Sequence, residues 1–163
     1  MSLPLKGIKV VDLSNYVAAP GAARILSDLG AEVVKIEAFG GDPWRQTGKA
    51  IVGKGDGENP IYDVFNVGKS SICVNIKNEK GLDLVMKMIS EADVFITNTR
   101  AQSLRKLGLD SETLRAKFPR LIYGTVNGYG DKGPDANTPG FDSMAFWTRS
   151  GFLLDMNEPN LCK

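Results

Sequence analysis

Three observations predict a doubly wound α/β fold, a Rossmann-like parallel sheet with helices on both faces. Short apolar, β-branched runs alternate with amphipathic helical patterns, and Gly or Pro stands at most of the junctions. The runs are short, apolar and rich in β-branched residues, as expected of strands buried on both faces. A chain of 163 residues is long enough to enclose one core of ordinary size.

The first strand is "IKVVDL", residues 8–13. In "SNYVAAPGAARILSDLG", Pro20 suits a first helical turn, and Ile25, Leu26 and Leu29 make an apolar stripe. Gly30 is expected to cap that helix, and "AEVVKIE" follows as a second strand. This βαβ unit implies parallel pairing. Residues 39–66, rich in Gly and charge, are expected to be irregular. "SSICVNIK" is then a strand, and "EKGLDLVMKMISEA" a helix with Leu82, Val85, Met86 and Ile89 on one face. "DVFIT" is a further strand, and "SLRKLG" a short helical turn ending at Gly108. Asp110 or Ser111 is expected to cap "SETLRAKF", which Pro119 stops before the strand "RLIYGTV". Ligands belong beyond the C-terminal ends of such strands.

Composition narrows the chemistry. There is no histidine, and Cys73 and Cys162 are the only cysteines. No metal site is expected, and Ser-His or Cys-His catalysis is excluded within this chain. Acid-base work would fall to carboxylates, lysines or tyrosines. The net charge of +1 gives no reason to expect nucleic acid as a partner. No apolar run reaches bilayer length and the N-terminus lacks a signal-peptide pattern, so no membrane association and a cytoplasmic location are expected.

"GYGDKGPDANTPGFD" contains a formal G-x-G-x-x-G at Gly128, Gly130 and Gly133. It follows a strand, but Pro134 comes next and no helix is expected before about Phe141, so a pyrophosphate would lack its helix N-terminus. The first βα turn, where that fingerprint belongs, lacks it. An NAD-type reading, prompted also by Glu37 at the end of the second strand, is therefore ranked low.

Six stretches together resemble the class III CoA-transferase family, which includes formyl-CoA and carnitine CoA-transferases and α-methylacyl-CoA racemase. They are "GIKVVDLSNYVAAP", "LGAEVVKIEAFGGDPWR", "FNVGKSSICVNIKNEKG", "EADVFITN", "LGLDSETL" and "PRLIYGTVNGYGDKGPDANTPGFD". "PGFDSMAFWTRSG" is most similar to the 2-hydroxyacid branch, such as phenyllactate and 2-hydroxyisocaproate CoA-transferases. The resemblance implies transfer of CoA from an acyl-CoA to a carboxylic acid through an aspartyl anhydride and an enzyme–CoA thioester. Coenzyme A and acyl-CoA are then substrates, neither metal nor NAD is needed, and the full-length protein is a homodimer. The family's nucleophilic aspartate stands in a "GD" step that here would fall beyond Lys163, and Asp155 in "LLDMNEP" lacks the glycine. Residues 1–163 are thus expected to be the N-terminal CoA-binding domain of a longer enzyme, inactive in transfer by themselves. A non-catalytic acyl-CoA-binding or interaction module is the alternative.

The resemblance also nominates residues. Val17 and Ala18 match a ligand-contacting pair, with simple packing of the turn as the alternative. Ala38 stands where CoA binders commonly carry arginine, and Arg45 is a candidate to compensate. Lys77 and Lys106 match basic ligand positions, though Lys106 is equally read as a solvent-facing helix residue. Asn98, Thr99 and Arg100 follow a strand's C-terminal end, with Arg100 suited to phosphate. The racemase branch carries an acid-base histidine at the position of Phe141, and a phenyl ring moves no proton, which disfavours racemisation. Asp142 is expected to support catalysis or to cap a helix. Trp44 is a candidate ligand-side aromatic, whereas Phe146 and Trp147 are expected in the core or at a subunit interface.

Overall fold

A computed structural model of the chain describes residues 3–47 and 59–156. Five strands form one all-parallel sheet: β1 (Lys9–Leu13), β2 (Glu32–Glu37), β3 (Ser70–Cys73), β4 (Val94–Thr97) and β5 (Ile122–Thr125). Their order is β3-β2-β1-β4-β5, so the winding reverses between β1 and β4. The helices are α1 (Ala18–Asp28), α2 (Pro60–Asn66), α3 (Glu79–Ser90), α4 (Ala101–Leu107) and α5 (Ser111–Lys117). A π-helical turn at Ser143–Thr148 and a short α6 (Phe152–Asp155) follow the sheet. The expected doubly wound architecture is the observed one.

Successive strand residues point to opposite faces, and both faces are covered. Val10, Val33 and Ile96 pack with Ala19 and Ala23 of α1. Val11, Leu13, Ile36 and Phe95 pack on the other side with Val85 and Ile89 of α3, Leu104 of α4 and Leu114 of α5. Leu82 and Met86 flank this second cluster, as their spacing predicts. The central strands β1, β2 and β4 are buried on both faces, which is why their sequences carry no regular polar alternation, whereas the edge strands β3 and β5 are exposed or half-buried.

Several expectations need correction. Of the expected stripe of α1 only Leu26 packs against the core, because Ile25 is 60% exposed and Leu29 40%. The buried residues are Ala19, Pro20 and Ala23, whose small side chains let α1 lie close to the sheet. Gly30 does end the helix. Its φ of +102° allows the N–H groups of Gly30 and Ala31 to reach Ser27 O and Leu26 O at 2.8 and 3.0 Å. Residues 60–66, expected to be irregular, form α2, where Asn59 accepts from the Tyr62 N–H and Pro60 stands in the first turn. Residues 48–58 of that stretch lie outside the described residues. The strand "SSICVNIK" stops at Cys73, after which Asn78 caps α3 through the Lys80 N–H. Asp110, not Ser111, caps α5 by accepting from the Thr113 N–H.

Candidate functional site

The winding reverses between β1 and β4, and the C-terminal ends of the strands at such a point are the usual ligand position in sheets of this kind. A cleft of about 1250 Å³ lies there. Among the described residues its wall includes Val17 and Ala18 from the β1–α1 turn, and Asn98, Thr99 and Arg100 after β4. Asp142 closes another side. These six nominated residues, drawn from three separate segments of the chain, thus share one cavity.

Hydrogen bonds fix the crevice walls. Asn98 accepts from the Asn15 N–H at 3.0 Å and donates to Asn15 O at 2.7 Å, tying the two loops together. Thr97 Oγ1 donates to Leu13 O at 2.8 Å and accepts from the Thr99 N–H at 3.1 Å. The Asn98 amide is therefore engaged within the protein, and its geometric effect is to set the spacing of the walls. Arg100 is exposed at the start of α4 and has no ion-pair partner among the described residues. Its guanidinium remains available to an anion.

The other basic nominees lie elsewhere. Lys77 is exposed in the turn after β3 and does not line the cleft. Helix α4 presents Arg105 to the cleft rather than Lys106. Arg45 is also absent from the wall, because its guanidinium grips Glu37 in a two-pronged pair at 2.7 and 2.8 Å. It also lies 3.9 Å over the Tyr62 ring. Glu37 further accepts from Tyr62 OH, Ser71 Oγ and the Asp42 N–H. Burial alone would push this carboxyl up, but donation from Arg45, Tyr62, Ser71 and the Asp42 N–H holds it down at about 2. So saturated a carboxylate is not free to bind a ribose, which removes one prompt for the NAD-type reading.

The glycine loop has a different geometry from a dinucleotide fingerprint. A Cβ on Gly128 would meet Gly140 Cα at 2.5 Å, so the two ends of the loop touch where only glycines fit. Gly130 and Gly133 take φ of +81° and +93°, and no helix begins before the π-helical turn at Ser143. Closing this loop carries Phe141 and Asp142 to the cleft. Asp142 stands at the N-cap of the π-helical turn, yet its side chain makes no capping hydrogen bond, so the capping expectation is not met. Phe146 and Trp147 are not in the sheet core. They are 53% and 37% exposed and pack on Phe152, with ring centroids 5.5 and 5.4 Å away.

Three aromatic residues also line the cleft. Trp44 does so as expected, while Tyr16 and Tyr123 escaped the sequence reading. Burial, followed by the nearby Asp110 and Asp131, pushes Tyr123 up to about 12, so it stays protonated near neutral pH. The interior also holds two ion pairs with almost no exposed surface, Lys35–Asp42 at 3.0 Å and Lys69–Asp12 at 2.8 Å. Burial lowers the Lys69 pKa despite Asp12, but Lys69 does not reach the cleft. Among the described residues no cluster of His, Cys, Asp or Glu is arranged to hold a metal. The cleft combines Arg100 and Arg105 with the carboxylates Asp110, Glu112, Asp131 and Asp142 and an aromatic wall. Mixed polar and apolar lining of this kind suits a ligand with a charged end, which the arginines would meet, and an apolar end.

The sequence pattern of CoA-transferase family III matches residues 5–160. The chain belongs to this family. It is 47% identical over 149 residues to the cinnamoyl-CoA:phenyllactate CoA-transferase of Clostridium sporogenes, covering 89% of this chain and 35% of that protein. It is 43% identical over 155 residues to the (R)-2-hydroxy-4-methylpentanoate CoA-transferase of Clostridioides difficile, covering 94% of this chain and 39% of that protein. The chain therefore spans well under half the length of these relatives. Among solved structures it resembles a CAIB/BAIF family protein from Brucella suis, with a TM-score of 0.80 and 39% identity over 88% of this chain and 38% of that one. It also resembles Rv3272 of Mycobacterium tuberculosis, with a TM-score of 0.85 and 34% identity over 97% of this chain and 43% of that one. The family and branch expected from the sequence agree with these relatives.

Proposed function

We propose that the chain is the CoA-binding α/β unit of a family III CoA-transferase that moves CoA between an acyl-CoA and a 2-hydroxy or related carboxylic acid. The observation that carries this reading is the assembly of Val17, Ala18, Asn98, Thr99, Arg100 and Asp142 around one cleft at the sheet's winding reversal. Arg100 and Arg105 supply cationic donors for the phosphates of CoA, where charge-assisted hydrogen bonds are strongest. In the reaction, a carboxylate attacks the thioester carbonyl and expels CoA thiolate, giving a mixed anhydride. The thiolate returns to form an enzyme–CoA thioester and releases the first acid, and the acceptor acid then takes CoA by the same two steps. On this reading the nucleophile is an aspartate of the family pattern with no match among these 163 residues, and the chain alone binds without transferring. Asp142 is given a supporting electrostatic role. A homodimer of the full-length protein and a cytoplasmic location belong to the same proposal.

The test is calorimetric titration with CoA at low and raised salt. Saturable binding that weakens with salt, and weakens about tenfold or more in Arg100→Glu, is expected from loss of a charge-assisted contact and its replacement by repulsion. Absence of binding by the folded chain would refute the CoA-binding reading.

A further inference from the structure

Among the described residues, Tyr16 is the sole non-glycine with a positive φ, at +68°. A turn that needed only this backbone shape would accept glycine without strain. A bulky side chain there persists only where its surroundings fix it. Those surroundings are present. The Tyr16 N–H donates to Asp42 Oδ1 at 3.2 Å, and the same oxygen accepts from the Trp44 N–H at 3.0 Å. Asp42 is fully buried and paired with Lys35, whose Nζ also donates to Ser14 O at 2.7 Å. One interior ion pair therefore positions two aromatic residues at the cleft. The Tyr16 ring meets Phe141 edge-on, with centroids 5.3 Å apart at 87°, and meets Trp44 at 6.5 Å and 76°. All three line the cleft, and Tyr16 and Phe141 keep 37% and 53% of their surface exposed.

We propose that Tyr16 determines acyl selectivity, its ring forming with Phe141 and Trp44 an aromatic wall against which an aryl-bearing acyl group packs. The Tyr16 and Phe141 rings both retain exposed surface at the cleft, and a further ring can pack on such aromatics edge-on or offset. Val17 beside it adds no polar group. Lys35 and Asp42 act through Tyr16 and are positioning residues. This inference rests on the acyl-CoA reading given above.

The test compares binding of CoA, acetyl-CoA and phenylacetyl-CoA to the chain and to Tyr16→Asn and Tyr16→Phe. Asparagine tolerates the left-handed backbone and removes the ring, whereas phenylalanine keeps the ring. Tyr16→Asn is expected to weaken phenylacetyl-CoA about three- to tenfold while CoA and acetyl-CoA stay within twofold, and Tyr16→Phe is expected to retain the preference. Equal weakening of all three probes marks a purely structural role and overturns the proposal, as does no change at all. If Tyr16→Asn fails to fold, Phe141→Leu probes the same wall, with the same selective loss expected and the same two contrary outcomes. Failure of the unsubstituted chain to bind any probe refutes the acyl-CoA reading itself, a result seen before any substitution is made.

Discussion

Glu37 and Arg45 show how neighbours decide what a side chain does. Arg45 has the right chemistry for a phosphate, yet Glu37 captures it through two short hydrogen bonds. Sequence supplied the residue type but not the competition between anions, because the pairing depends on tertiary structure that brings Arg45 to Glu37 and over the Tyr62 ring. Arg45→Met is accordingly expected to cost about 2 kcal/mol in urea denaturation while leaving CoA affinity within twofold. The pH dependence follows from Glu37. Its folded-state pKa of about 2 lies below the ordinary 4.5, so its stabilisation is complete above pH 4.5 and is lost as pH falls toward 2. Unfolding free energy should decline over that window, and Glu37→Gln should remove this component and flatten the profile. An unchanged profile in Glu37→Gln would contradict the assignment.

At the level of elements, hydrophobic spacing located β1, β2, β4, β5 and α3 because their apolar residues are large and recur at strand or helix spacing. On α1 it caught Leu26 but missed the fully buried residues, because alanine carries little hydropathy signal, although Ala19 and Ala23 have no exposed surface. It missed α2, whose Asn59–Pro60 start sits in a polar stretch. The contact between Gly128 and Gly140 was beyond a local reading, since it joins residues on opposite sides of a loop. A direct check contrasts two substitutions in α1. Ala23→Leu should destabilise the chain by about 1–3 kcal/mol through overpacking, and Ile25→Ala should change stability by less than about 0.5 kcal/mol. The reverse ranking by thermal or urea unfolding would restore the stripe inferred from sequence.

For the molecule as a whole, the alternation of strands and helices was enough to predict a cleft beyond the strand ends, and Val17, Ala18, Asn98, Thr99 and Arg100 line one there. What stayed hidden were the partners brought in by tertiary structure, namely Tyr16 on its left-handed backbone, and Arg105 in place of Lys106. The central claim is that CoA binds in the crevice between β1 and β4. It is tested most directly by amide hydrogen exchange with and without saturating CoA. Slowed exchange concentrated in residues 14–20 and 97–105 is the predicted result. Protection centred instead on the opposite ends of the strands, near Lys9, Glu32 and Glu91, or no protection at all, would contradict it.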